Sequence, residues 1–142
     1  MENAVYPEYL IHWDSPSGKL HIAGQIDLLV KKGNSIVIGD WKTNKKIDTK
    51  SYFDSKVRSS VKMKFPLNNL DDCNYYHYCL QLSTYAYIIE SYNPDFSIED
   101  LVLVHFDHND NMTVYHLPYL RKEVERMLSY YEKGHLCLLY TS

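Results

Sequence analysis

The sequence lacks the features that would place the protein in a membrane or outside the cell. No apolar run among its 142 residues is long enough to cross a bilayer, and the first residues do not resemble a signal peptide. The three cysteines, Cys73, Cys79 and Cys137, form neither a zinc pattern nor a disulfide pattern. We therefore expect a protein of the reducing cytoplasm that needs no membrane partner.

Length and composition are those of an ordinary globular protein, with 45% apolar and 23% charged residues. A chain of this length predicts one domain, which we assign to residues 1–136. Residues 137–142 resemble the translation of a transposon end used to prepare sequencing libraries. We expect them to be a non-native tail, and the alternative is an ordinary apolar tail.

Positive charge is concentrated in one segment. The net charge of −3 argues against a nucleic-acid-binding protein, but residues 42–64 hold eight of the fifteen basic residues and only two acidic ones. This segment is either a solvated lysine-rich loop or a contact surface for a polyanion. Its position directly after Asp40-Trp41-Lys42 favours the second interpretation, with Lys45 and Lys46 as DNA contacts.

Two aspartates lie in neighbouring apolar runs that are expected to form a hairpin. Gly33-Asn34 can supply the positive φ angles of a tight turn, and this register places Asp27 directly opposite Asp40. Facing residues have Cβ atoms about 4.5–5.5 Å apart, at which like charges are destabilising. The pair therefore calls for a cation such as Mg²⁺ or Mn²⁺. Lys42 points to the same face as Asp40, and the pattern predicts a metal-dependent active site.

The remaining pattern predicts an α/β fold with a mixed central sheet flanked by helices. The strand at Ile36–Ile38 is apolar on both faces, so we expect helices on both sides of it. A long helix beginning with a cap at Asp71-Asp72 carries Gln81 and Tyr85 on one stripe. The expected elements are a strand at 5–13, a hairpin at 19–31 and 34–43, an irregular segment at 44–70, a helix to about residue 92, strands at 99–107 and 111–117, and a helix at 119–132.

Three short motifs occur in order along these elements. They are Gly24-x-x-Asp27, Asp40-Trp41-Lys42-Thr43 and Gln81-x-x-x-Tyr85. Over about residues 5–117 the chain resembles the PD-(D/E)XK nuclease superfamily, and in particular its RecB-type branch of CRISPR-associated and phage exonucleases. The resemblance implies a restriction-endonuclease-like core and metal-dependent hydrolysis of DNA by an exonuclease of phage or bacterial DNA processing, recombination or repair. A helicase or recombination protein is the partner that it suggests, and a catalytically inactive DNA-binding module is the alternative.

The resemblance also implies a role for each motif residue. Asp27 and Asp40 would hold one or two Mg²⁺ or Mn²⁺ ions, together with the backbone carbonyl of Trp41. Lys42 would contact the attacking water or the scissile phosphate. The remaining roles are orientation of the nucleophile or a phosphate oxygen by Gln81, a hydrogen bond to the substrate backbone from Tyr85, and support of the metal site or phosphate contact by Thr43.

The chain departs from the family pattern in two respects. Many relatives have a leading helix that supplies a further metal ligand, so either the chain is a fragment or another residue replaces it, with Glu8 and His77 as candidates. Relatives with an iron–sulfur cluster use four flanking cysteines, and we expect no cluster here. By composition, residues 105–108 could form a metal site, but we favour a strand end that runs into a turn.

Overall fold

The computed structural model describes residues 3–43, 47–49, 53–54 and 59–134, with the backbone alone described at 53–54 and 59–60. Neither helix in this part of the chain is both long and apolar enough to cross a membrane. In chain order the elements are β1 (Ala4–Asp14), β2 (His21–Lys32), β3 (Ser35–Lys42), β4 (Phe53–Asp54), β5 (Ser59–Ser60), α1 (Asn74–Tyr92), β6 (Ser97–Phe106), β7 (Met112–His116) and α2 (Arg121–Glu132).

The central sheet is mixed, which confirms the α/β class. Within the described residues it has five strands, in the order β1-β2-β3-β6-β7. Strands β3 and β6 are parallel and are joined through α1, whereas the other neighbouring pairs are antiparallel. Strands β4 and β5 form a separate antiparallel pair inside the segment that the sequence predicted to be irregular. The carboxyl ends of β3 and β6 therefore reach the same edge of the sheet.

The hairpin between β2 and β3 has the predicted register. Lys32 faces Ser35 across the turn, and Gly33 has the positive φ of 60° that such a turn requires. Pairing continues in this register as far as Leu28 and Gly39. The next step would pair Asp27 with Asp40, and there the ladder between β2 and β3 ends. The two strands thus separate at the position where their carboxylates face each other.

The alternation of buried and exposed side chains along β2 also changes at Asp27. Ile22 and Ile26 are buried with the period of two expected of a strand, but the next buried position is Leu29. Across from Asp27 on β1 lies Glu8, which has a φ of 52° although it is not glycine. The residues on either side, Pro7 and Tyr9, remain paired with β2. This irregularity redirects the side chains of β2 beside the site, as bulges often do near functional residues.

The core lies between the sheet and α1. Ile38 of β3, Leu103 of β6 and Ile88 of α1 are fully buried, and α2 packs against α1. The expectation that helices cover both faces of β3 is wrong for the part of the chain described here. Val37 of β3 and Val102 of β6, on the other face, are only half-buried. The apolar pattern was misleading because β-branched residues suit a half-covered strand surface as well as a buried one.

Helix α1 begins later than the sequence suggested. Its N-cap is Cys73, whose side chain makes no capping hydrogen bond. The predicted capping residues are engaged elsewhere, because Asp71 pairs with Lys62 and Asp72 lies 2.8 Å from Nε2 of His77. The predicted end is correct, since the helix stops at Tyr92 before Asn93-Pro94.

Candidate active site

Asp40 and Lys42 form a buried ion pair at the carboxyl end of β3. Nζ of Lys42 lies 3.2 Å from Oδ2 of Asp40, and the two side chains are only 11% and 12% exposed. Apart from this ion pair, the buried Oδ2 has no hydrogen-bond partner among the described residues. A buried carboxylate oxygen is normally hydrogen-bonded. The pair therefore leaves part of the binding capacity of Asp40 available to a further group.

Asp27 brings a second carboxylate to the same place. Its Oδ2 accepts a hydrogen bond of 3.1 Å from the backbone N–H of Trp41, and its carboxyl group is within hydrogen-bonding reach of Asp40. Burial and then the neighbouring Asp27 raise the pKa of Asp40 to about 7, against the opposing effect of Lys42. Two carboxylates in this arrangement need either a shared proton or a cation.

The donor set fits a hard divalent cation. Mg²⁺ is typically held by one or two carboxylates, with water and substrate phosphate as its other ligands, and the underused oxygen of Asp40 is a donor of this kind. Among the residues described, no group of three or more His, Cys, Asp or Glu side chains could hold a metal. Neither Glu8 nor His77 therefore completes a three-residue ligand set, and His77 instead contacts Asp72.

Helix α1 places Tyr85 and Gln81 beside this pair. Tyr85 is 5% exposed, and Nε2 of Gln81 donates a long hydrogen bond of 3.4 Å to its hydroxyl group. Burial raises the pKa of Tyr85, with Gln81 and the backbone of Gln25 acting in the opposite direction through hydrogen bonds. A Cβ atom at Gly24 would lie only 2.5 Å from the Tyr85 hydroxyl oxygen. Glycine therefore allows β2 and α1 to approach this closely.

An open cavity of about 590 Å³ has Asp27 in its wall. Strand β2 supplies most of its wall, and α1 and β1 supply the rest. The lining combines carboxylate, amide and hydroxyl groups with one exposed leucine, a composition suited to a partly polar ligand. Its lining residues are Leu10, Ala23, Gly24, Gln25, Asp27, Gln81 and Tyr85.

Two residues beside the predicted cluster had been given no role in it from the sequence. The ring centroid of Tyr78 lies 4.9 Å from Nζ of Lys42, and His105, which is 7% exposed, is the register partner of Lys42 on β6. Tyr78 precedes Gln81 by three residues, and that helical spacing was the available signal. The composition of residues 105–108 drew attention to His105 but could not place it beside Lys42, because that position depends on the parallel pairing of β3 with β6.

The other predicted residues fall outside this cluster. Thr43 follows β3 and is exposed. Lys45, Lys46 and residues 137–142 lie outside the described residues. The strand-end interpretation of residues 105–108 is confirmed, since β6 ends at Phe106 and Asp107 accepts hydrogen bonds from the backbone N–H groups of Asn109 and Asn111 in the following turn.

Comparison with known proteins does not identify a family. No family model matches the chain, and no curated protein matches it. One solved structure, "Crystal structure of SSO0001", is similar with a TM-score of 0.48 and 15% sequence identity, over 92% of this chain and 51% of that one. This chain thus spans about half the length of that protein. At this TM-score the similarity supports no conclusion about family or activity.

Proposed function

We propose that the protein is a Mg²⁺- or Mn²⁺-dependent nuclease of the PD-(D/E)XK type that hydrolyses phosphodiester bonds of DNA. The observation that supports this most directly is the buried carboxylate of Asp40, which faces Asp27 and lies 3.2 Å from the ammonium group of Lys42. Phosphodiester hydrolysis needs stabilisation of negative charge and a positioned water. A divalent cation, when bound, would supply a Lewis acid and lower the pKa of a bound water.

The chain's own residues would divide the remaining tasks. Asp27 and Asp40 would hold the cation, and the backbone N–H of Trp41 keeps the Asp27 carboxylate in place. Lys42, at the same end of β3, would place a positive charge next to the scissile phosphate or orient the attacking water. Because its side chain is largely buried, this charge is little screened by solvent.

The wall of the cavity would bind the nucleotide beside the scissile bond. Gln81 and Tyr85 present an amide and a hydroxyl group to the cavity that also contains Asp27, and both can donate to phosphate oxygens. Gly24 leaves room for the Tyr85 hydroxyl group. The proposal includes a restriction-endonuclease-like core, action as an exonuclease in phage or bacterial DNA processing, and a cytoplasmic location.

The test is a cleavage assay on end-labelled linear and circular DNA, single- and double-stranded, with Mg²⁺, Mn²⁺ or EDTA. We expect metal-dependent loss of the linear substrates, abolished by Lys42→Ala. The matched control is Lys32→Ala, which removes an exposed lysine at the other end of the central strands. Equal activity of the Lys42→Ala variant and the native chain would contradict the proposal, and cleavage of circles would replace exonuclease by endonuclease.

A catalytically inactive DNA-binding module of the same fold is the second candidate. The observation that favours it is that the described residues supply only two acidic ligands at the site. Such a module would bind DNA with a steep salt dependence but without any dependence on metal. Binding measured with Mg²⁺ and with EDTA, beside the cleavage assay, separates the two candidates.

A further inference from the structure

Two contacts of the Lys42 ammonium group differ in kind. One is the carboxylate of Asp40, with Nζ 3.2 Å from Oδ2, and the other is the ring of Tyr78, whose centroid lies 4.9 Å from the same Nζ. Tyr78 belongs to α1 and is 8% exposed, so its ring is held by the helix and the core. A cation at this distance from an aromatic ring is attracted by the ring quadrupole.

These two contacts respond differently to a bound cation. When Asp40 ligates a divalent ion, the like charge repels the Lys42 ammonium group from that carboxylate. The ring of Tyr78 is unaffected, since it has no formal charge and belongs to another element. Resting on the proposed function, we propose that Tyr78 is a positioning residue, whose ring keeps the Lys42 ammonium group at the site once Asp40 has bound the metal.

This role makes a specific demand on the side chain. An aromatic face is required at position 78, and the hydroxyl group is not. If Tyr78 merely filled the core, leucine would serve nearly as well as phenylalanine apart from a loss of stability. The pair of variants Tyr78→Phe and Tyr78→Leu therefore separates positioning from packing, and Tyr87→Leu serves as the control for loss of a tyrosine ring elsewhere on α1.

The first experiment needs neither metal nor DNA. In ¹³C-lysine-labelled protein the ε-methylene resonance of Lys42, assigned through Lys42→Arg, should be shifted upfield by the ring. The shift should persist in Tyr78→Phe and Tyr87→Leu and disappear in Tyr78→Leu. Lys31, whose Nζ lies 5.6 Å from the Phe96 ring centroid, is an internal reference that should not change. An unchanged Lys42 resonance in Tyr78→Leu would overturn the proposal.

The second experiment repeats the shift measurement with saturating Mg²⁺ and adds kinetics. The upfield shift should remain, and Tyr78→Leu should lower kcat about 2- to 30-fold, the range of a cation–π contact, with a smaller change in KM. Equal losses in Tyr78→Phe and Tyr78→Leu would overturn the proposal. If the native chain fails to cleave DNA but the Lys42 resonance keeps its upfield shift in Mg²⁺, the ring contact is supported and the proposed function is overturned instead.

Discussion

A lysine–carboxylate pair occurs at each end of the central strands, and the two pairs differ in distance and in burial. Lys32 and Glu99, beside the hairpin turn, lie 4.0 Å apart with side chains 58% and 48% exposed. Lys42 and Asp40, at the carboxyl end, lie 3.2 Å apart and are nearly nine-tenths buried. An exposed pair contributes about 0–1 kcal/mol to stability, whereas burial of a pair costs desolvation that the attraction often fails to offset.

The difference distinguishes the end of the sheet that holds the candidate site from the end that does not. At the hairpin end, the backbone is closed by the turn and by a hydrogen bond of 2.8 Å from Ser97 N–H to the Asn34 carbonyl oxygen. At the other end, the pairing of β2 with β3 stops and two carboxylates face each other. Variants made at the hairpin end are therefore matched controls for variants made at the site.

The largest contrast is expected between Asp40→Asn and Glu99→Gln. Removal of a charged ligand should lower DNA cleavage about a thousandfold or more, because the cation would lose several kcal/mol of interaction in the transition state. Glu99→Gln should leave cleavage unchanged. Rates are measured on linear DNA with Mg²⁺, and binding by fluorescence anisotropy should remain similar in both variants. Equal loss of binding and cleavage in Asp40→Asn would contradict the assignment of the metal site.

A second contrast uses two glycines. A Cβ at Gly24 would lie 2.5 Å from the Tyr85 hydroxyl oxygen, whereas a Cβ at Gly39 would meet only Leu28, at an ordinary 3.6 Å. Gly24→Ala should displace the Tyr85 ring and lower cleavage about 10- to 100-fold, as small misplacements in active sites do. Gly39→Ala should change it little. A fully active Gly24→Ala variant would show that the close approach of β2 and α1 has no catalytic role.

The third contrast concerns pH. Burial and Asp27 raise the pKa of Asp40 from 3.8 to about 7, so below neutrality a cation must displace a proton. Calorimetry should show Mn²⁺ affinity rising about tenfold per pH unit up to about pH 7 and then levelling. Glu99→Gln should give the same curve. A flat profile between pH 5 and 7 would contradict the raised pKa.

The raised pKa of Asp40 also determines whether the metal-free protein becomes more or less stable as the pH rises. Because the folded-state pKa of Asp40 lies above the unfolded value, its contribution to stability is fully present below about pH 4 and is lost as pH rises through about 7. Thermal denaturation of the metal-free protein measures this slope, which should be shallower in Asp40→Asn.

The smallest contrast compares two pairs of consecutive lysines, one in the basic segment and one near the hairpin turn. Reversal of Lys45 and Lys46 to glutamate should weaken DNA binding and reduce the log–log salt slope by about 1–2, if each lysine neutralises one phosphate. Reversal of Lys31 and Lys32, near the hairpin turn, should leave the slope unchanged. Affinities measured from 50 to 300 mM KCl test this, and identical slopes in the two double variants would remove the basic segment from the DNA contact surface.

Much of the fold could be predicted because local patterns specify it. Alternating apolar residues and the Gly33-Asn34 turn determined the β2–β3 register, which the structure confirms. The order of long elements followed from periodicity and breakers, including the end of α1 before Asn93-Pro94. The brief pairing of β4 with β5 was missed, since two-residue strands leave no periodic signal.

The parts that could not be predicted depend on tertiary contacts. Nothing local to Glu8 indicates its positive φ, which is adopted opposite the point where β2 changes alternation. The late start of α1 arises because Asp71 and Asp72 find other partners. Similarly, Asp27, Asp40 and Lys42 were recognisable from one hairpin, whereas the placement of Tyr78 and His105 required the packing of α1 and the pairing of β6.

The separation of β2 from β3 at Asp27 divides one strand into two backbone environments. Residues 28–31 lie between two strands, β1 and β3, whereas residues 21–26 are paired with β1 alone. At Gln25 the hydroxyl group of Tyr85 meets the backbone in place of a third strand. Amide hydrogen exchange follows local protection, so the two halves of β2 should exchange at different rates. Exchange at Gln25 would then report on α1, and slower exchange of that amide on addition of DNA would indicate a tighter contact between β2 and α1.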